Sequence, residues 1–417
     1  MRRILQSACA GLSALCAAGL LLCSQTVAGD LAQAAVQGEL WTKSTGELAQ
    51  EVLGGVACRP VDGKTLLLQR SAALGFGGIP SGDIKMRLSE DLQKVLSLDT
   101  TIFNKGDNGE LDKATFEQLL KASVEHLNML TGVDAQQRVV SKKEAGLKMR
   151  AWEWETSTCY VLLEAASTGA GKKYVAEFIR LTMTPEKAAL ERGGADDAAK
   201  RADLKSHVCT EKDGSVWIKG IPMVDQGEKG YCVPASVSRV FAYYGMDGVD
   251  QHALAALCKS SGAEGTTIDD MEKALRTISG SFHMGVVSWK WLNMKTLAKD
   301  YAKRAQKLNA SPYELDPRVL LETIKGKPAL LRKGMAFIRK NIDAGIPLVW
   351  GVALGLFPEM GIPQSGGGHM RLIVGYNEQR QEVLYSDSWG AGHECKKMPL
   401  SQACAISQAL YVLRPLR

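Results

Sequence analysis

The order of elements in the second half of the chain restricts its fold more than any other feature. From Cys232 to Asp343 the residues read as a succession of helices, opened by a run from Cys232 to Tyr244. Strand-like runs come only afterwards, at Pro347 to Leu354, Arg371 to Tyr376, Glu382 to Asp387 and Ala409 to Leu413. Helices first and strands later do not fit the alternation of a parallel α/β sheet. They predict an α+β domain, a helical part beside an antiparallel sheet. Val216-Trp-Ile218 is a further strand-like run near its start, so this domain is placed at residues 214–417.

A chain of 417 residues has room for a second core. Residues 29–185 read as a small separate α+β domain. Between Leu111 and Leu130 the apolar residues Phe116, Leu119, Leu120, Val124, Leu127 and Leu130 form a helical stripe. Trp152-Glu-Trp154 and Cys159 to Leu163 are strand-like, and a turn at Ser167-Thr-Gly-Ala-Gly171 leads to Tyr174 to Leu181. Together they predict a β-hairpin on a small sheet backed by helices. The segment Asn104 to Asp112 has the flavour of a calcium loop. With Gly109 at its sixth position, however, Thr115 falls where a bidentate Glu belongs, and a capped, solvated turn accounts for it better. Residues 186–213, rich in Ala, Lys, Asp, Glu and Arg, read as a charged linker. The first domain carries no chemical motif; it is either a pro-region released by a cut in the linker or a permanent recognition module.

The N-terminus has the form of a cleaved signal peptide: Met1-Arg-Arg, an apolar run from Ala8 to Leu22, and Thr26-Val-Ala28 before the cut. It implies a secreted or periplasmic protein. No later stretch is apolar for long enough to span a bilayer, so no stable membrane insertion is expected after its removal. A formal charge of +6 without a basic block or stripe argues against nucleic acid as a partner. Of ten cysteines, Cys9, Cys16 and Cys23 leave with the signal, and seven remain: Cys58, Cys159, Cys209, Cys232, Cys258, Cys395 and Cys404. An odd number in an oxidising compartment suggests three pairs and one free thiol, with Cys395–Cys404 the preferred local pair. The alternative is that several pack as buried thiols. Their spacing forms no zinc site, and neither metal nor cofactor is expected.

Four residues form a candidate nucleophilic site. Cys232 opens a helical run, and a helix N-terminus with its unpaired N–H groups favours a thiolate. Gly230 permits a tight turn just before it, and Pro234 suits a first helical turn. Gln226, six residues earlier, can bring its side-chain amide beside the Cys232 N–H as two donors for a developing oxyanion, because Gly227 and Gly230 let the loop fold back. Of the histidines, His126 falls in the first domain, while His207, His252 and His283 have no partner motif. His369 follows Gly366-Gly-Gly368 into a strand, where its ring can stand at a cleft edge as the base; His393 is the reserve. Asp387 ends the next strand, close enough to orient that ring and favour its charged form. Trp389 can cover the pair. A cysteine, a base and an orienter are what acyl transfer through a covalent intermediate requires.

These residues resemble the papain-like superfamily, and within it most closely the bacterial C39-like peptidases. The Gln226-to-Cys232 spacing, the Cys-x-Pro-Ala at Cys232, Tyr243-Tyr-Gly245, and Gly368-His369 followed by Ile373-Val-Gly-Tyr376 are similar to the C39-like pattern. Asp387-Ser-Trp-Gly390 resembles papain's Asn-Ser-Trp-Gly, with Asp in place of Asn. The resemblance covers residues 215 to 417. It implies an exported cysteine peptidase acting on peptide or protein, with Cys232 as nucleophile, His369 as base, Asp387 as orienter and Gln226 as oxyanion donor. The same machinery serves other acyl transfers, as in a deamidase, a transglutaminase-like enzyme or an amide hydrolase, and a catalytically silent peptide-binding relative is a further alternative. No membrane or ATP-binding part is present, so the double-glycine leader substrates of transporter-linked relatives do not carry over.

Overall fold

The computed structural model describes residues 30–53, 58–68, 76–79, 81–139, 147–169, 171–192, 201–227, 230–246, 251–258, 272–273, 275–276, 284–361 and 366–416. The expected signal peptide and residues 193–200 of the expected linker lie outside them. The protein is α+β with antiparallel sheets, and its contacts divide it into two compact units. The first comprises the described residues up to Arg192 with the helix Gln251–Cys258, Gly227 and Gly230; the second comprises the other described residues.

The first unit is built on an eight-stranded sheet. Its strands are β1 (Cys58–Pro60), β2 (Thr65–Leu68), β3 (Ile84–Leu88), β4 (Val95–Asn104), β5 (Gln136–Arg138), β6 (Lys148–Glu155), β7 (Tyr160–Thr168) and β8 (Val175–Thr184), in the order β1-β2-β3-β4-β8-β7-β6-β5. The sheet is larger than the sequence predicts, because strands of three and four residues such as β1 and β2 leave no legible period. The striped helix is Lys113–Thr131. Asp112 caps it by accepting from the Thr115 N–H, and Phe116, Leu120 and Leu127 bury its stripe in the sheet's core. Asn104 caps the short helix Lys105–Asn108 in the same way, accepting from the Gly106 N–H. The helix Gln251–Cys258, which the sequence reading placed in the second domain, belongs to this unit: Ala253 packs with Leu147, Ala166 and Phe178, and His252 bonds Asn104 at 3.0 Å. Local periodicity defines a helix but not the core it joins.

The second unit also has an eight-stranded antiparallel sheet. It contains β9 (Val208–Thr210), β10 (Val216–Ile218), β11 (Met284–Trp289), β12 (Leu348–Leu354), β13 (Gly367–Asn377), β14 (Glu382–Ser386), β15 (Lys396–Pro399) and β16 (Ser407–Pro415). The order is β11-β16-β12-β13-β10-β9, with β14 joining β13 to β15. β9 lies in the stretch read as linker from its composition, yet it pairs with β10 as a hairpin, so this unit begins before residue 214. Gly375 makes the β10–β13 crossing possible, since a Cβ there would stand 2.5 Å from the Val216 carbonyl oxygen. The helix Cys232–Tyr243 is buried along nearly its whole length, with Val233, Ala235, Val237, Val240 and Phe241 in the core. The Ser236 hydroxyl donates to the Met370 carbonyl at 3.2 Å and ties the helix to β13.

The expected disulfide Cys395–Cys404 is not formed. Cys404 is wholly buried in the helix Leu400–Ile406, and Cys395 is exposed ahead of β15, at the other end of that strand. Cys159, Cys209 and Cys232 are free thiols as well, so the expected three pairs do not exist. Burial pushes the Cys159 and Cys404 thiols up to about 12, which makes them inert packing residues.

Candidate active site

Cys232 is the first residue of its helix, and the Ala235 N–H makes the first helical hydrogen bond to the Tyr231 carbonyl at 2.9 Å. An N–H at that first position has no acceptor within its own helix, so the Cys232 sulfur sits at the positive end of twelve aligned residues. Its helix is fixed to β13, the strand that carries His369. That strand begins at Gly367, earlier than the sequence predicts, and takes in His369 opposite Val352 of β12. Leu372 pairs with Ser386, which brings Asp387, just past the end of β14, alongside His369 and Arg371.

The geometry is that of a held imidazole. His369 Nε2 bonds Asp387 Oδ1 at 2.5 Å, and both residues are buried. The Cys232 sulfur also acts on the ring and favours its charged form. Burial works against a charged ring, but the bonds to Asp387 and Cys232 and their negative charges outweigh it, and the pKa rises from 6.5 to about 9. Burial pushes the Asp387 carboxyl up as well. The His369 bond and charge, the Arg371 guanidinium and the Ser388 N–H together reverse this and hold it below the usual carboxylate range. Trp389 lies flat on His369, with ring centroids 4.4 Å apart and planes 7° from parallel. The expected cover over the pair is therefore present.

Gln226 reaches the same loop. Its N–H donates to the Ser388 carbonyl at 2.9 Å, and its Oε1 accepts from the Ser388 hydroxyl at 2.6 Å. This fixes the amide plane. The turn after Asp387 closes on itself: the Asp387 N–H bonds the His393 carbonyl at 2.9 Å, and Gly390 takes φ +80°, a conformation that a side chain would strain. His393 thus contributes its backbone to the turn. Its ring stands edge-on to Trp389, and burial lowers its pKa. His126 bonds the Gly77 carbonyl in the first unit, His207 packs edge-on to Tyr243, and His283 lies outside the described residues, as do Glu228 and Lys229 of the Gln226 loop.

Sequence reasoning missed the cations behind Asp387. Arg371 is fully buried and brings Nε to 3.1 Å from Asp387 Oδ2, while its two terminal nitrogens bond Glu359 at 2.9 and 3.2 Å. Arg239, in the Cys232 helix, donates to the Asp387 carbonyl at 2.8 Å, the Ser386 hydroxyl at 2.5 Å and the Pro222 carbonyl at 2.8 Å. A signal did exist: each is a lone charge in an apolar run, Met370-Arg-Leu-Ile-Val and Val237-Ser-Arg-Val-Phe241, and a buried charge needs a partner. Which partner depends on the fold. Among the described residues no group of His, Cys, Asp and Glu is arranged to hold a metal ion, and no helix is long and apolar enough to cross a membrane.

Compared with known families, residues 218–410 match the family model described as Peptidase_C39 like family. That stretch contains all four candidate residues. No curated protein matches the chain.

Proposed function

We propose that the second unit, whose residues 218–410 match the C39-like peptidase family model, hydrolyses peptide bonds through a thioester on Cys232. The observation that carries this reading is the buried His369, bonded to Asp387 and held in its charged form by that carboxylate together with the Cys232 sulfur, which opens a helix. The sulfur attacks the scissile carbonyl as thiolate while His369 holds the proton. The negative oxygen of the tetrahedral intermediate meets the Cys232 N–H and the Gln226 amide. As the C–N bond breaks, His369 gives its proton to the departing amine, leaving the thioester. Water then attacks, His369 takes its proton, and the thiolate leaves with the carboxylic acid released. Asp387 keeps the Nε2 proton in place throughout. Among the described residues nothing stands within 4 Å of where a Cβ would be on Gly366 or Gly367, ahead of His369, which favours close approach of a peptide backbone there.

Labelling with a thiol-directed peptide electrophile tests the assignment. Cys232 should label in the wild type, and labelling should vanish in Cys232→Ala and fall steeply in His369→Ala. Equal, slow labelling of every exposed thiol would instead indicate a silent peptide binder. Gln226→Ala should lower kcat by about 10²- to 10³-fold with KM little changed, because the donor it removes acts only on the oxyanion. A loss confined to KM would remove Gln226 from the oxyanion site.

The pH dependence follows from His369. Its proton is needed for the departing amine, so activity should fall as pH rises through about 9. The same raised pKa contributes stability that is complete below the unfolded value of 6.5 and is lost as pH rises through about 9. The urea midpoint should therefore drop across that window, and His369→Ala should flatten the drop. An unchanged slope in His369→Ala would contradict the charged pair.

For the first unit, the packing of Ala253 with Leu147, Ala166 and Phe178 favours a retained module over a released pro-region. A helix that follows residue 213 in sequence completes its core, so a cut in the linker would not by itself free it. Export after removal of residues 1–28 completes the proposal.

A further inference from the structure

His369 and Arg371 lie two residues apart on β13, hence on one face of the sheet, and they divide the Asp387 carboxylate between them. Oδ1 takes His369 Nε2, and Oδ2 faces Arg371 Nε at 3.1 Å. Neither Arg371 Nε nor Asp387 Oδ2 has an aligned hydrogen bond, so this contact is charge against charge. The rest of the guanidinium is clamped. Both terminal nitrogens bond Glu359, the Tyr385 hydroxyl donates to Glu359 at 2.5 Å, and the guanidinium lies over the Tyr385 ring at 4.7 Å. A buried arginine among Met370, Leu372 and Ile373 is weak evidence for stability, because well-packed apolar residues serve a core as well or better. Its neighbours give it another use.

We propose that Arg371, anchored by Glu359, is a positioning residue that keeps Asp387 ionised and turned so that Oδ1 faces His369. The inference rests on the proposed role of Cys232, His369 and Asp387. With His369 protonated, Asp387 and Glu359 are balanced by His369 and Arg371. Without Arg371, the buried Oδ2 loses the cation that faces it at 3.1 Å, and Asp387 is driven toward its protonated form whether or not Glu359 is charged. The other charged or titratable groups near Asp387 do not replace it. Arg239 reaches its backbone carbonyl, His393 has its pKa lowered by burial, and Lys396 acts only at a distance.

The test is the rate of Cys232 alkylation by iodoacetamide against pH in the full chain, read by mass spectrometry with the exposed Cys395 as internal reference. In Arg371→Met/Glu359→Met, which removes both charges and so limits the folding penalty, the acid limb should move up by about one pH unit. Well down the acid limb that is about a 10-fold slower reaction at a given pH. Arg371→Lys, which keeps the charge but not the fork, should recover part of the shift. A folded double variant, or a folded Arg371→Lys, with a rate about 10-fold down at every pH and an unmoved limb would mark a merely structural role and overturn the proposal. A wild-type profile in the double variant would overturn it equally. Both outcomes leave the Cys232 reading intact. Wild-type Cys232 reacting no faster than Cys395 at pH 6 would instead overturn that reading and the proposal together.

Discussion

Cys232→Ala should lower turnover by at least about 10⁴-fold while leaving the protein folded. The remaining catalytic contributions, charge stabilisation and binding, act on a bond that the lost sulfur no longer attacks. Folding should tolerate the change, because Cys232 is only half-buried and alanine has the highest intrinsic helix propensity. The substitution should also be visible at His369. It removes one of the two partners that raise the ring's pKa, so the imidazole's titration, followed by NMR, should move down from about 9. Turnover within about 100-fold of wild type, or an unmoved His369 titration, would place the nucleophile elsewhere.

Asp387→Asn should be nearly as damaging, even though the resembling papain motif carries Asn at this place. In this protein the second carboxylate oxygen faces Arg371. If the new amide keeps its oxygen toward His369, its NH₂ meets the Arg371 donor in a buried site. If it turns over, its NH₂ meets Nε2, and the imidazole must carry its proton on Nδ1 instead. The wrong tautomer costs on the order of 10⁴ in kcat in a serine–histidine–aspartate site, and a loss of about 10²- to 10⁴-fold is expected here. Removing one member of a buried ion pair should also lower stability by about 3 kcal/mol, measured by urea unfolding. A variant within about 10-fold of wild-type kcat would show that the carboxylate's charge is not used.

Much of the site was legible in the sequence because the chemistry restricts residue types and their local settings. A nucleophilic thiol needs a helix start or a cation, and Cys232 lies at the start of a run with glycines before it. A base needs an orienter, and His369 and Asp387 stand on consecutive strands where a short turn makes adjacency the default. Each condition is local, so a window of residues suffices to find it. The supports were not legible in the same way. Ser388 orients Gln226 across 162 residues, and Arg239 reaches the Asp387 carbonyl across 148. The helix Gln251–Cys258 completes the other unit's core, and Cys395 and Cys404 stay apart despite their proximity in sequence.

By itself, then, the sequence determined the α+β class and picked out Cys232, His369 and Asp387, in that order, as candidates. Periodicity, helix starts and residue type are properties of short segments. Only the tertiary structure decided which face of β13 carries both His369 and Arg371, which carboxylates neutralise that arginine, and which core the Ala253 helix enters. These are choices among partners for buried charge and apolar area. They follow from which strands lie side by side once the whole chain has packed, because burial makes an unpaired charge too costly to leave but does not say in advance which neighbour will pair it.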